Sequence, residues 1–159
     1  MKTRRSLLIA VLFAGSAIIG PSTPPASADN VAVVHSWVMA WNGGDPDAFT
    51  SLFTDDALFE HVPFGTADRG TAQIRAFYAL VFNAMPDLKM HVLRSSVKGR
   101  HVTIEWIFTA TDGLFQTGKP FTARGATVIL LRDTQIARDS DYWDQGTIFR
   151  QIGLLPPGL

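Results

Sequence analysis

Gly70-Thr-Ala-Gln-Ile-Arg-Ala-Phe-Tyr-Ala-Leu-Val-Phe-Asn-Ala-Met-Pro-Asp-Leu-Lys-Met-His-Val-Leu-Arg-Ser-Ser-Val-Lys-Gly-Arg-His-Val-Thr-Ile-Glu-Trp-Ile-Phe-Thr-Ala-Thr111 changes its hydrophobic period halfway along. Ile74, Phe77, Tyr78, Val81, Phe82 and Met85 recur at helical spacing, with Thr71 a candidate N-cap and Pro86 the stop. Beyond Pro86 the period is two. Leu88–Val97 and His101–Thr111 flank Lys98-Gly99-Arg100 as a hairpin, and Val102, Ile104, Trp106 and Phe108 alternate with polar residues. That alternation predicts a sheet with one buried and one wet face. Glu105 falls on the wet side.

Upstream, Val34, Trp37, Val38 and Trp41 predict a helix over 31–41 that ends at Asn42-Gly43-Gly44. Asp45-Pro46 opens a short helix burying Phe49, Leu52 and Phe53, and 57–62 reads as extended. Downstream, strands over Phe121–Leu131 and Gln135–Trp143 follow the turns Thr117–Pro120 and Arg132–Thr134, and a short helix near Thr147–Gln151 has Asp144 as its N-cap. Helices first and an antiparallel meander later give an α+β fold. A mostly antiparallel sheet curved around helices forms a cone with an apolar pocket at its open end.

The chain has 159 residues, of which 47% are hydrophobic and 18% charged, with 17 aromatic residues and no cysteine. This length suits one domain, and the missing thiols exclude disulfides, thiol nucleophiles and cysteine-held metals. Lys2, Arg4 and Arg5 precede the apolar run Ser6–Gly20, which is shorter than the about 20 residues of a membrane span. Pro21–Pro25 and Ala26-Ser27-Ala28 follow, so residues 1–28 are expected to be a cleaved signal peptide, and 29–159 the exported domain. Its route is Sec or twin-arginine, Arg4-Arg5 allowing the latter. No stable membrane anchor is expected. Without its three basic residues the remainder carries 11 basic against 14 acidic side chains, none of the basic ones adjacent, which argues against nucleic acid as a partner.

No phosphate loop or nucleophile elbow occurs. His35, His61, His91 and His101 are dispersed, so neither metal nor cofactor is expected. Acid–base chemistry in an aromatic shell remains. Ala137, Asp139, Asp141 and Trp143 share one strand face, opposite Arg138, Ser140 and Tyr142. An inward Trp143 brings Asp141 inward too, where desolvation makes a carboxylate a usable base; with the opposite parity the aspartates are solvated edge charges. His61, next to Phe59 on its face, is either an acid–base group or a satisfied core histidine. Trp37 lies on an apolar stripe whose ordinary use is packing.

Trp41-Asn-Gly-Gly-Asp45, Leu52-Phe-Thr-Asp-Asp56, Gly70–Tyr78, Gly118-Lys-Pro-Phe121, Asp141-Tyr-Trp-Asp144 and Gln151-Ile-Gly153 together resemble the NTF2-like superfamily, which includes ketosteroid isomerases and SnoaL-type polyketide cyclases. The resemblance spans nearly all of 31–155. The isomerase's base, oxyanion Tyr and protonated Asp positions look like His61, Trp37 and Thr127, which puts steroid isomerisation by that route in doubt. The cyclase's acid–base residue, first in an Asp-x-x-Asp, looks like Asp141, with Asp144 completing the pattern. The cyclase's His and Gln look like Thr127 and Gly125. The resemblance implies a cofactor-free cyclase or isomerase acting on a hydrophobic carbonyl compound of polyketide or terpenoid type, which the expected signal peptide would make an exported protein. Asp141 is its base and His61 its donor, with Trp37, Phe59, Trp106, Thr127 and Trp143 around the substrate. An epoxide hydrolase-like use of Asp and water is a lesser variant. The alternative is a non-catalytic module that binds a hydrophobic small molecule or dimerises. Homodimers of this superfamily use the outer sheet face, where Ile136 and Tyr142 are expected.

Overall fold

The computed structural model describes residues 28–158, with side chains from Ala32 onward. The expected signal segment lies outside the described residues except for Ala28, where the first helix begins. Four helices, α1 (Ala28–Gly43), α2 (Pro46–Thr50), α3 (Gly70–Ala84) and α4 (Gln145–Ile152), pack with six strands. The strands are β1 (Phe53–His61), β2 (Thr66–Arg69), β3 (Lys89–Lys98), β4 (His101–Thr111), β5 (Pro120–Arg132) and β6 (Gln135–Trp143). They form one open sheet in the order β2-β1-β6-β5-β4-β3, antiparallel throughout except for the parallel pair β1–β6. This is the α+β arrangement of an NTF2-like cone.

The change of period at Pro86 falls where α3 gives way to β3. Ile74, Tyr78, Val81 and Met85 of the α3 stripe are buried, and Val102, Ile104 and Trp106 of β4 face them across the core. On the facing helix, Trp37, Ala40 and Trp41 are buried. Side-chain bonds fix the junctions. Asn42 closes α1 against β3 by bonding both the Met90 carbonyl (2.9 Å) and the Met90 N–H (2.8 Å). Tyr78 donates its hydroxyl to the Ala40 carbonyl, joining α3 to α1. Asp45 caps α2, and Asp144 caps α4 through the Thr147 N–H at 3.0 Å.

Several expectations are corrected. Thr71 does not cap α3: the helix starts one residue earlier, at Gly70, whose φ of +73° suits glycine, and Gln73 takes the Arg69 N–H. Phe53 opens β1 and is not part of α2. The 3₁₀ turn Val62–Phe64 and the polar four-residue β2 have no counterpart in the sequence reading. Ile136 is fully buried and not on the outer face. Leu130 and Leu131 pair with Arg138 and Ile136, so Ala137 is an extra residue on β6. This bulge reverses parity, placing Ile136 on the inner side with Asp139 and Asp141 and removing Ala137 from their row.

Candidate active site

The sheet brings three polar residues of distant sequence into one row. His61 of β1 is the register partner of Asp141 on β6, and Asp141 is the partner of Thr127 on β5. Neighbouring strands lie about 4.8 Å apart, so the three side chains project from one short strip of the inner face. Beside this row, Gly125 of β5 lies between Trp106 on β4 and Trp143 on β6.

The row borders a cavity of about 110 Å³. Its walls are apolar: Trp106, Phe108 and Phe121 from the sheet, Phe77 and Met85 from α3 and the turn after it, and Phe149 from α4. Trp143 and Phe64 meet edge to face at its rim, 5.3 Å between ring centres. His61 and Asp141 both line it, together with Asp112 and Gln145, and none of the lining residues is a lysine or arginine. Trp106 and Trp143 thus stand on the cavity wall. Trp37, Phe59 and Thr127 do not line it: all three are fully buried one layer behind. Trp37 is packed edge-on to Trp41, and Phe59 sits among Phe49, Phe53 and Phe77, so both rings complete the core instead.

Asp141 is 6% exposed and has no cation beside it; burial raises its carboxyl to about 7, opposed by the hydrogen bond from Thr127. Trp106 donates its indole N–H to Thr127 Oγ1 at 2.8 Å, and the Thr127 hydroxyl in turn donates to Asp141 Oδ1. Behind it, Asp139 is fully buried. Its Oδ2 accepts only the Trp37 indole N–H at 3.2 Å, and Oδ1 has no hydrogen-bond partner. Burial, then the nearby charge of Asp141, holds the Asp139 carboxyl well above the usual range. The two aspartates therefore form a pair with indole and hydroxyl donors and no counter-ion.

His61 is also buried, with Nε2 2.8 Å from Asp68 Oδ2 and its ring against Phe77 (3.9 Å) and Phe59 (4.6 Å). A carboxylate only accepts, so Nε2 carries the hydrogen. Nδ1 is buried without a partner. Neutral His61 therefore has no second N–H, and only its imidazolium form can donate.

Sequence reasoning missed Asp68 and Asp112. Asp68 lies on the short β2, whose existence the sequence did not signal. Asp112 borders the cavity, but three hydrogen bonds from the backbone of Phe115 and from the backbone and hydroxyl of Thr117 engage both its oxygens. Burial pushes its carboxyl up, yet those donors outweigh it and hold it below the usual range. Asp112 organises the 112–117 loop. The Asp112-Gly113 turn signal could have found it.

Known structures share this architecture. A protein of ketosteroid isomerase-like fold from Catenulispora acidiphila DSM 44928, in complex with trimethylamine, matches at 27% identity with a TM-score of 0.70, over 76% of this chain and 92% of its own. A protein from Jannaschia sp. CCS1, assigned to the SnoaL-like polyketide cyclases, is 22% identical, with a TM-score of 0.71 over 86% of this chain and all of its own. An epoxide hydrolase of the LEH-like type from M. tuberculosis is 18% identical, with a TM-score of 0.68 over 82% and 93% of the two chains. Residues 34–139, two-thirds of the sequence and every element from α1 to most of β6, match the SnoaL-like domain, and the chain belongs to that family.

Proposed function

We propose that this SnoaL-like protein is a cofactor-free acid–base catalyst that moves a proton α to a carbonyl in an uncharged hydrophobic substrate, so promoting cyclisation or isomerisation. The observation that carries this reading is Asp141: a carboxyl without a counter-ion on the wall of an apolar cavity, raised to about 7 by burial. Near neutral pH both of its forms are populated, as a group that first takes and then returns a proton requires. In the ionised form Asp141 removes the α-proton. His61, held by Asp68 through Nε2, would donate to the developing enolate oxygen once it carries a hydrogen on both ring nitrogens. Trp106 and Trp143 exclude water, Thr127 holds one Asp141 oxygen, and Trp37 and Phe59 support the wall from behind. A cavity without lysine or arginine favours a neutral ketone of polyketide or terpenoid type over an anion.

In the same proposal the protein acts after export, with residues 1–28 removed. It acts as a homodimer through the outer sheet face, where Val128 (41%) and Tyr142 (46%) are exposed. No helix among the described residues is long and apolar enough to cross a membrane.

The decisive experiment incubates a panel of enolisable hydrophobic ketones in D2O. Wild-type protein is expected to accelerate deuterium uptake at the α-carbon with a pH profile following Asp141, and Asp141→Asn to abolish it. Ketones that bind without exchange, equally well to Asp141→Asn, would instead make the domain a non-catalytic binding module.

A further inference from the structure

Gly125 lies in the middle of β5, and its φ is not positive, so the strand does not need glycine for its conformation. It needs glycine for space. A Cβ at this position would fall 2.3 Å from Cη2 and 2.5 Å from Cζ2 of Trp106, and 2.4 Å from the Tyr142 carbonyl oxygen. The edge of the Trp106 indole thus occupies the space beside Gly125 where any other residue would place its Cβ. Trp106 pairs with Gly125, whereas Thr127 pairs with Ile104, so the indole must reach diagonally to the next inward residue. In this placement Nε1 lies 2.8 Å from Thr127 Oγ1.

That bond has a direction. An indole N–H donates and never accepts, so Thr127 Oγ1 is the acceptor and its own hydrogen is free for Asp141 Oδ1. With the Thr127 hydrogen on Oδ1, the neutral acid carries its own hydrogen on Oδ2. Building on the reading of Asp141 as the acid–base group, the geometry points to Gly125 as a positioning residue. By leaving room for Trp106 it turns the Thr127 hydroxyl onto one carboxyl oxygen, and so makes Oδ2 the oxygen that exchanges a proton with the ligand. The substrate's acidic C–H then meets Oδ2 with the Trp106 ring as adjacent wall, which favours a flat, unsaturated ketone.

The test reads the Asp141 carboxyl titration by carbon NMR and the Trp106 indole N–H resonance, neither of which needs a substrate. Thr127→Val removes the donor and raises the Asp141 midpoint by about one pH unit. Gly125→Ala raises it in the same direction, moves the indole resonance toward that of a free N–H, and adds nothing further on the Thr127→Val background. A folded Gly125→Ala protein with both signals unchanged overturns the proposal, because packing alone would then explain the glycine. Should Gly125→Ala not fold, Trp106→Phe decides: a rise smaller than that of Thr127→Val supports the chain, and an unchanged midpoint overturns it. Were wild-type Asp141 to titrate as an ordinary exposed carboxylate, the acid–base function would fail, while the indole resonance would still report whether Gly125 positions Trp106.

Discussion

The two faces of the sheet treat carboxyl groups in opposite ways. On the outer face Glu105 is flanked by Arg94 and Arg124, Glu60 by Ser140 and Arg138, and Arg132 reaches Asp56 at 2.8 Å. Hydrogen bonds from Arg124, Ser140 and Arg132 respectively are the chief influences holding these carboxyls below the usual range. On the inner face Asp139 and Asp141 are buried with an indole and a hydroxyl for company, and burial drives both upward. Water reaches the outer pairs and screens them, so they matter little to stability. Among the described residues the inner pair has no lysine or arginine partner, and burial favours its neutral form. Ionised carboxyls thus face arginines on the outer side, and burial favours the neutral form on the inner side.

The largest expected effect tests the inner face by pH. A carboxyl whose folded value lies above its unfolded one stabilises fully below the unfolded value and loses that contribution as pH rises through the folded one. For Asp141, moved from 3.8 to about 7, the loss between about pH 4 and pH 8 is about 4 kcal/mol, and Asp139 adds to it in the same direction. Urea unfolding at the two pH values should show the decline in wild type and a shallower one in Asp141→Asn; parallel slopes would mean the inner carboxyl is not raised. The outer carboxylates act in the other direction, losing their contribution only as pH falls through their depressed values.

Next in size is a contrast between neighbours on one strand. Ile129 is fully buried, whereas Val128 points outward. Ile129→Ala is expected to cost about 3 kcal/mol and Val128→Ala within about 0.5 kcal/mol, both from denaturant midpoints. Equal costs would mean that another surface covers the outer face at the concentration used. Trp37→Phe keeps an aromatic ring but removes the one donor that Asp139 has among the described residues, at an expected cost of about 2 kcal/mol. The smallest effect belongs to Glu105→Gln, for which the unfolding midpoint should not move measurably and should be indifferent to salt.

Local pattern carried much of this architecture. The switch of period at Pro86, the caps at Asp45 and Asp144, and the outward Glu105 were all readable because each depends on a few consecutive residues. The inward direction of Asp141 was legible only relative to Trp143. It survives because the Ala137 bulge lies before Asp139; a bulge between Asp141 and Trp143 would have put the two on opposite faces. Ile136, on the other side of the bulge, was misread for that reason. Local pattern did not give the row His61–Asp141–Thr127, since it depends on the parallel pairing of β1 with β6 and no local signal specifies which strands become neighbours; only the family resemblance set the three around one site. Trp37 and Phe59 were visible as apolar positions, but whether an inward ring meets a void or another ring is decided by the packing of α1 and α3 against the sheet.

The parallel pairing of β1 with β6 also governs timing. Strand β1 is complete by residue 61, yet its neighbour in the sheet starts at Gln135, so one edge of β1 waits for most of the chain. Helices and the β3–β4 hairpin close short loops and can form early, whereas a contact between His61 and Asp141 must close a loop of about 80 residues. The last long strand to be synthesised is thus the one that joins the two halves of the site, and no shorter nascent chain possesses it. The row His61–Asp141–Thr127 is complete only when folding is nearly over.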